Sequence, residues 1–174
     1  MSDSIKINNT EVKVVKDDLT AMEVEAIVFY ARPDLKLGSG YGNAIATRGG
    51  PSIKKQLDEI GSADITEVVV TEAGMLKTKH IMHSVGPAFQ EEGIEKKLKS
   101  LMDNTLAKAE EIGFKQVAFP IMGAGFYGIA PDAAITIMLT SLKEHLKNST
   151  SLKEVLLCGN DNREYRLFAS KLNN

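Results

Sequence analysis

The residues with the clearest chemical potential are glycines. Gly123, Gly125 and Gly128 fall in the stretch Phe119-Pro120-Ile121-Met122-Gly123-Ala124-Gly125-Phe126-Tyr127-Gly128. A second set, Gly38, Gly40 and Gly42, falls in Leu37-Gly38-Ser39-Gly40-Tyr41-Gly42-Asn43-Ala44-Ile45. Glycine lets the backbone take positive φ and come close to a ligand. Consecutive amides running into a helix N-terminus favour an anion, most often phosphate. The chemistry on offer is therefore capture of phosphate by main-chain N–H groups. A turn that needs glycine only for its geometry is the plainer alternative. Three glycines in six residues, with no β-branched residue among them, favour ligand contact.

The elements around these loops decide whether they can act together. Gln116-Val117-Ala118-Phe119 reads as a short buried strand, and Asp132 to Lys147 as a helix with Pro131 near its first turn. Ala26-Ile27-Val28-Phe29-Tyr30-Ala31 is a nearly continuous apolar run, as a strand buried on both faces should be. Pro33 stops it, and the other glycine loop leads into a helix over about 43–48, then a second over about 51–60. If the two strands are neighbours, both loops face one crevice beyond their carboxyl ends, where open α/β sheets hold ligands. A diphosphate then fits between them. Asp18 follows another strand and is able to line the same crevice, accepting from an exocyclic amine such as adenine's. A turn or capping aspartate is the alternative for Asp18.

The remaining chain fits that frame. Ile5–Ile7 and Val12–Val15 alternate as strands of a hairpin. Thr20 and Glu23 have capping-box spacing, so a helical turn is expected to start at Thr20. Glu67–Thr71, His80–Val85 and Lys153–Cys158 read as strands, and Ile94–Ile112 as a helix with apolar residues at helical spacing. A closing helix carries Tyr165, Phe168 and Leu172. Strands alternating with helices imply a largely parallel sheet covered on both faces, made mixed by the N-terminal hairpin.

Gly123, Gly125 and Gly128 also spell the G-x-G-x-x-G of dinucleotide-binding folds. That fingerprint opens a first βαβ unit and has an acidic residue about 20 positions on, after the next strand. Here it lies late, and Glu144 falls inside the following helix. A nicotinamide cofactor is not expected, and no other cofactor is.

Composition narrows the classes further. The 174 residues suit one domain, 1–174, and a net charge of −2 gives no footprint for duplex nucleic acid or an anionic membrane surface. No apolar run approaches membrane-spanning length, and the N-terminus lacks a basic-then-apolar signal, so a cytoplasmic location is expected. The single cysteine, Cys158, fits a reducing compartment and reads as core. His80 and His83, three apart in a strand, face opposite sides, so no metal site is expected. His83-Ser84 adjacency makes no nucleophile pair for the same reason, and His145 reads as solvated near a helix C-terminus.

Five segments, in order, give the chain a resemblance to the macro domain, an ADP-ribose-binding module. Asp17-Asp18-Leu19-Thr20 resembles the family's Gly-Asp-Ile-Thr, and Glu25-Ala26-Ile27-Val28 its Asp-Ala-Ile-Val. Gly38 to Ile45 resembles the first phosphate loop, and His83-Ser84-Val85-Gly86-Pro87 the His-Thr-Val-Gly-Pro segment. Phe119 to Gly128 resembles Phe-Pro-x-(Ile/Leu)-x-x-Gly-x-Tyr-Gly. The likeness spans nearly the whole chain and is similar in cast to small stand-alone prokaryotic members.

The resemblance implies a three-layer α/β/α sandwich with a mixed, mostly parallel sheet. It implies that Asp18, with Leu19 beside it, binds the adenine amine and that Ile27 lies by the purine. Gly38, Ser39, Gly40, Tyr41, Gly42, Asn43 and Ala44 would form one diphosphate cradle. Gly123, Ala124, Gly125, Phe126 and Tyr127 would form the other, with Phe126 against the distal ribose. The ligand implied is ADP-ribose, free or on protein.

Three departures bear on activity. Where the family has Asn-Ala-Ala-Asn after its strand, this chain has Phe29-Tyr30-Ala31-Arg32. The family's second asparagine orients the distal ribose and helps place the attacking water in hydrolytic members. Arg32 accepts no hydrogen bond and cannot serve as a base. Hydrolases of one subgroup carry an aspartate where Gly42 stands, and the aromatic that stacks on adenine aligns roughly with Asn160. The expected function is therefore binding with little or no catalysis. Slow hydrolysis of ADP-ribose derivatives, with water activated by the substrate, is the alternative, and a scaffold that has lost the ligand is a third. Phe29, Tyr30 and Arg32 either fill the strand end, narrow the ribose pocket, or bring Arg32 to a phosphate or carboxylate.

Overall fold

The structure, a computed structural model, describes residues 3–123 and 128–174. Seven strands form one sheet in the order β1-β2-β7-β6-β3-β5-β4. They are β1 (Ser4–Ile7), β2 (Thr10–Lys16), β3 (Ala26–Ala31), β4 (Val68–Glu72), β5 (His80–Val85), β6 (Gln116–Phe119) and β7 (Glu154–Gly159). The helices are α1 (Tyr41–Gly49), α2 (Pro51–Ile60), α3 (Ile94–Ile112), α4 (Pro131–Leu146) and α5 (Asn162–Leu172).

The five inner strands, from β2 to β5, run parallel. Both edges are antiparallel, β1 on β2 and β4 on β5. The β4 edge goes beyond the sequence reading, in which only the N-terminal hairpin made the sheet mixed. The short Ala73–Lys79 link after β4 leaves no room for the crossover a parallel pair needs, so the chain turns back.

Side chains of β3 alternate between two cores. Ala26, Val28 and Tyr30 join α3, α4 and α5 on one face. Ile27, Phe29 and Ala31 join α1 and α2 on the other. All six are buried, which explains the unbroken apolar run. Helix α4 packs between α3 and α5, so it buries Ile135 and Leu139 besides Ala134, Met138, Leu142 and Leu146. The layers are helix, sheet and helix, as a three-layer α/β/α sandwich requires.

The capping-box reading at Thr20 is corrected. The 3-10 turn is Leu19–Ala21, and Asp18 caps it by accepting from the Thr20 amide at 3.0 Å and the Thr20 hydroxyl at 2.7 Å. A carboxylate two residues from the donor serves as the stronger cap, and Thr20 becomes its partner.

The solvated reading of His145 is also corrected. Its Nε2 meets Glu110 Oε1 at 3.2 Å, and its side chain is largely buried. Glu110, near the end of α3, also accepts from the Thr150 hydroxyl and from the Ser151 amide at 3.0 Å. Burial raises the Glu110 pKa, but the Thr150 hydroxyl, the Ser151 amide and His145 outweigh it, so the carboxyl sits below its ordinary range. A folded pKa below the unfolded one stabilises above the unfolded value and is lost as pH falls through the folded one. Between about pH 6 and about pH 3, wild type should therefore lose more urea stability than Glu110→Gln. Parallel curves for the two proteins would remove Glu110 from the acid response.

Candidate functional site

The site is built at one rim of the sheet. Strands β3 and β6 are paired neighbours, Ala26 opposite Val117 and Ile27 opposite Ala118, so their carboxyl ends lie side by side. Each is followed by a glycine loop. Between the first loop and Pro120 to Gly123, where the second opens, lies a cavity of about 740 Å³. Its walls come from the end of β3 (Phe29, Tyr30, Arg32), the first loop (Leu37 to Tyr41), the segment after β5 (Gly86, Phe89), the segment after β6 (Pro120, Ile121, Gly123) and Glu164 of α5. Pro33 and Asp34 join the first two, so four separate chain segments meet at one rim.

The first loop is shaped by its glycines. Gly40 caps α1 with φ 62°, a conformation that disfavours a side chain. No side chain caps α1, and of its first-turn amides that of Gly42 donates to Ser39 O at 3.2 Å. Gly42 has a different reason to be glycine. A Cβ there would lie 1.7 Å from the Leu37 carbonyl oxygen, because the loop folds back onto the first turn of α1. Ser39 and Tyr41 line the cavity, whereas Gly42, Asn43 and Ala44 sit within α1, outside its lining.

The second loop opens at Gly123, buried with φ 76°, and returns through Ile129, whose amide donates to Gly123 O at 3.3 Å. Ala124, Gly125, Phe126 and Tyr127 lie outside the described residues. At the far side of this loop Phe89 is 59% exposed and packs over Gly128.

Tyr30 ties three strand ends together. Its hydroxyl donates to Pro87 O at 2.7 Å. Its ring covers Gly86, where a Cβ would come within 2.0 Å of it, and reaches 3.4 Å from the corresponding point at Gly123. Phe29 points to the other face, edge-on to His83 with ring centroids 6.0 Å apart. His83 Nε2 is 2.9 Å from Thr71 Oγ1, and burial pushes its pKa down to about 4. His83 is therefore neutral at pH 7, and it packs behind Phe29 without lining the cavity itself. Ser84, on the opposite face, bonds Thr105 Oγ1 at 2.8 Å.

At the other end, Asp18 is already engaged. Oδ1 holds Thr20, and Oδ2 holds the guanidinium of Arg48 from α1. Burial raises the Asp18 pKa, but Thr20 and Arg48 outweigh it and hold the carboxyl low. Asp18, Leu19 and Ile27 do not line the cavity, and Leu19 and Ile27 are buried in the α1–α2 core. Asn160 is exposed and outside the lining; its amide donates to Glu164 Oε1 at 2.7 Å. Tyr41 lines the cavity. Burial raises its pKa, and the charges of Cys158, Glu164 and Asp18 add to the effect. Cys158, its Sγ 3.2 Å from Asp17 O, is pushed up to about 12 by burial and is no nucleophile.

The sequence reading did not single out Phe89, Asp34 or Glu164 as cavity residues. Phe89 carried a signal, an aromatic two residues beyond Gly86-Pro87 that no apolar stripe absorbs. Glu164 carried none, because it reads as an ordinary first-turn acid of α5. Among the described residues no cluster of three His, Cys, Asp or Glu could hold a metal ion. None of the described helices is long and apolar enough to cross a membrane.

Residues 31–138 match the family model for the macro domain. The chain belongs to the macro domain family. An uncharacterized protein of Saccharolobus solfataricus is 36% identical over 94% of this chain and 93% of its own length. An ADP-ribose glycohydrolase of Xenopus laevis is 29% identical over 98% of this chain, which spans 43% of that protein. A macrodomain mutant of Oceanobacillus iheyensis, solved with ADP-ribose, superposes with a TM-score of 0.92 at 24% identity, covering 98% of this chain and 96% of the other. The macro domain fold is thus shared over nearly the full length.

Proposed function

We propose that this macro domain, residues 1–174 acting as one unit, binds ADP-ribose, free or attached to protein, with little or no hydrolysis. The observation that carries the reading is the pairing of β3 with β6, which brings the first glycine loop and Gly123, where the second opens, to one cavity. The Oceanobacillus structure with ADP-ribose supports it. Amides of the first loop and of the loop opening at Gly123 hold the diphosphate, and a cavity of this size suits a small ligand.

Weak catalysis follows from the side chains. Arg32 is a permanent cation, and His83 is buried and absent from the cavity lining. Asp34, the carboxylate beside Arg32, is held in an ion pair with it. A positioned general base typically contributes about 10²–10⁴-fold. Isothermal titration should give a dissociation constant for ADP-ribose in the micromolar range, about −8 kcal/mol. Absence of heat at about 1 mM ligand with folded protein would sink the reading. Release of ADP-ribose from mono-ADP-ribosylated protein should be at least about a hundredfold slower than by a hydrolytic relative. Comparable turnover would favour the hydrolase reading, to which the Xenopus glycohydrolase lends support.

A further inference from the structure

Among the described residues four large apolar side chains stand exposed, Ile60, Met75, Phe89 and Ile112, and of these Phe89 alone lines the cavity. The apolar wall residues Phe29 and Ile121 are buried, at 8% and 9% exposure, whereas Phe89 is 59% exposed and so forms the rim. It is exposed without being loose. Glu91 closes the turn that carries it: the Glu91 amide donates to Ala88 O at 3.1 Å, and Glu91 Oε1 accepts from the Ala88 amide at 3.2 Å. Glu91 Oε2 in turn holds Lys97 Nζ, in the first turn of α3, at 2.6 Å. On its other side the ring lies on Gly128, where a Cβ would come within 2.6 Å of two ring carbons. An aromatic held in this way needs little further ordering on contact, which suits it to recognition.

The strand order says what reaches this ring. Phe89 follows β5 and Glu164 follows β7, with β3 and β6 between those strands. The two side chains therefore mark opposite ends of the cavity, three strand spacings or about 14 Å apart. Asp18 follows β2, beyond β7, so a base at that end leaves the distal sugar at the Phe89 end. When ADP-ribose is attached to protein, the link leaves from the distal sugar. The residues on either side of the modified one then cross the rim that Phe89 forms. We propose that Phe89 is the contact for the polypeptide that carries the ADP-ribose, and that it selects an apolar side chain beside the modified residue. This rests on the reading that the cavity takes ADP-ribose, and it gives the carrier chain a surface of its own.

The experiment is calorimetric titration of wild type, Phe89→Ala and Phe89→Leu, with melting curves as the folding check. The ligands are free ADP-ribose and two peptides ADP-ribosylated on a central serine, one with leucines and one with glycines on either side of it. Wild type should bind the leucine peptide about tenfold tighter than the glycine peptide, the scale of one partly covered apolar side chain. The preference should vanish in Phe89→Ala and persist in part in Phe89→Leu. Because the two peptides share the nucleotide, their ratio is insensitive to any change in nucleotide affinity. No preference in wild type, a preference that survives Phe89→Ala, or binding of free ADP-ribose but of neither peptide overturns the inference and leaves the ADP-ribose reading standing. If neither free ADP-ribose nor the peptides bind, both fall.

Discussion

Gly42→Asp is expected to lower the melting temperature by roughly 10 °C and to confer no hydrolysis. This substitution would install the acid that one hydrolytic subgroup of macro domains carries in its first loop. The backbone forbids it. A Cβ at position 42 would lie 1.7 Å from the Leu37 carbonyl oxygen and 2.4 Å from its carbonyl carbon. Both are main-chain atoms, so no rotamer change relieves the clash. Gly42 is absent from the positive-φ glycines, so conformational strain is not the cause. Its amide donates to Ser39 O at 3.2 Å, which ties the loop to the first turn of α1. Moving Leu37 away displaces the cavity wall that Leu37 to Tyr41 form. Overpacking of this kind costs about 3 kcal/mol or more. Gly42→Ala should lose nearly as much, because the clash begins at Cβ and not at the carboxylate. A Gly42→Asp protein that melts like wild type and releases ADP-ribose would show that Leu37 yields freely and that Gly42 alone had suppressed catalysis.

Much of this architecture is legible in the sequence because burial on both faces leaves a simple mark. The run Ala26–Ala31 is wholly buried and is the inner strand β3, flanked by β6 and β5. The two glycine loops announced themselves by composition. What escaped the sequence was which side chains use each other. Asp18 looked free to meet a base, but Arg48, thirty positions away, fills its second oxygen. Nothing local in the sequence couples a loop acid to the last turn of α1. Tyr41 read as part of a backbone cradle, yet its ring is half-buried beside Cys158 and Glu164. The direction of a helical side chain depends on the phase at which the helix starts, and that phase was read two residues late. Arg32 was identified by type, but only the geometry shows that Asp34 pins it beside Gly38.

Gly86→Ala should be the second severe lesion, and its cause can be isolated by a partner substitution. The position follows β5, with ordinary backbone angles that alanine tolerates. A methyl group there would come within 2.0 Å of the Tyr30 ring. Tyr30 is buried, and its hydroxyl is held by Pro87 O at 2.7 Å, so the ring cannot swing out freely. A shift along the rim would carry it toward Gly123, whose Cβ position would already lie 3.4 Å from the ring. The expected cost is about 2–3 kcal/mol in urea unfolding, with a loss of ADP-ribose affinity of about tenfold as the second loop is pushed aside. Tyr30→Ala alone should also destabilise, by roughly 3 kcal/mol, through the cavity it leaves. Adding Gly86→Ala to Tyr30→Ala should then cost little, since the obstructing ring is gone. The cycle should show a coupling of at least about 1 kcal/mol. Strict additivity would mean that Gly86 is held by something other than Tyr30. In that case Tyr30 would no longer explain how the ends of β3, β5 and β6 are fixed around the ligand.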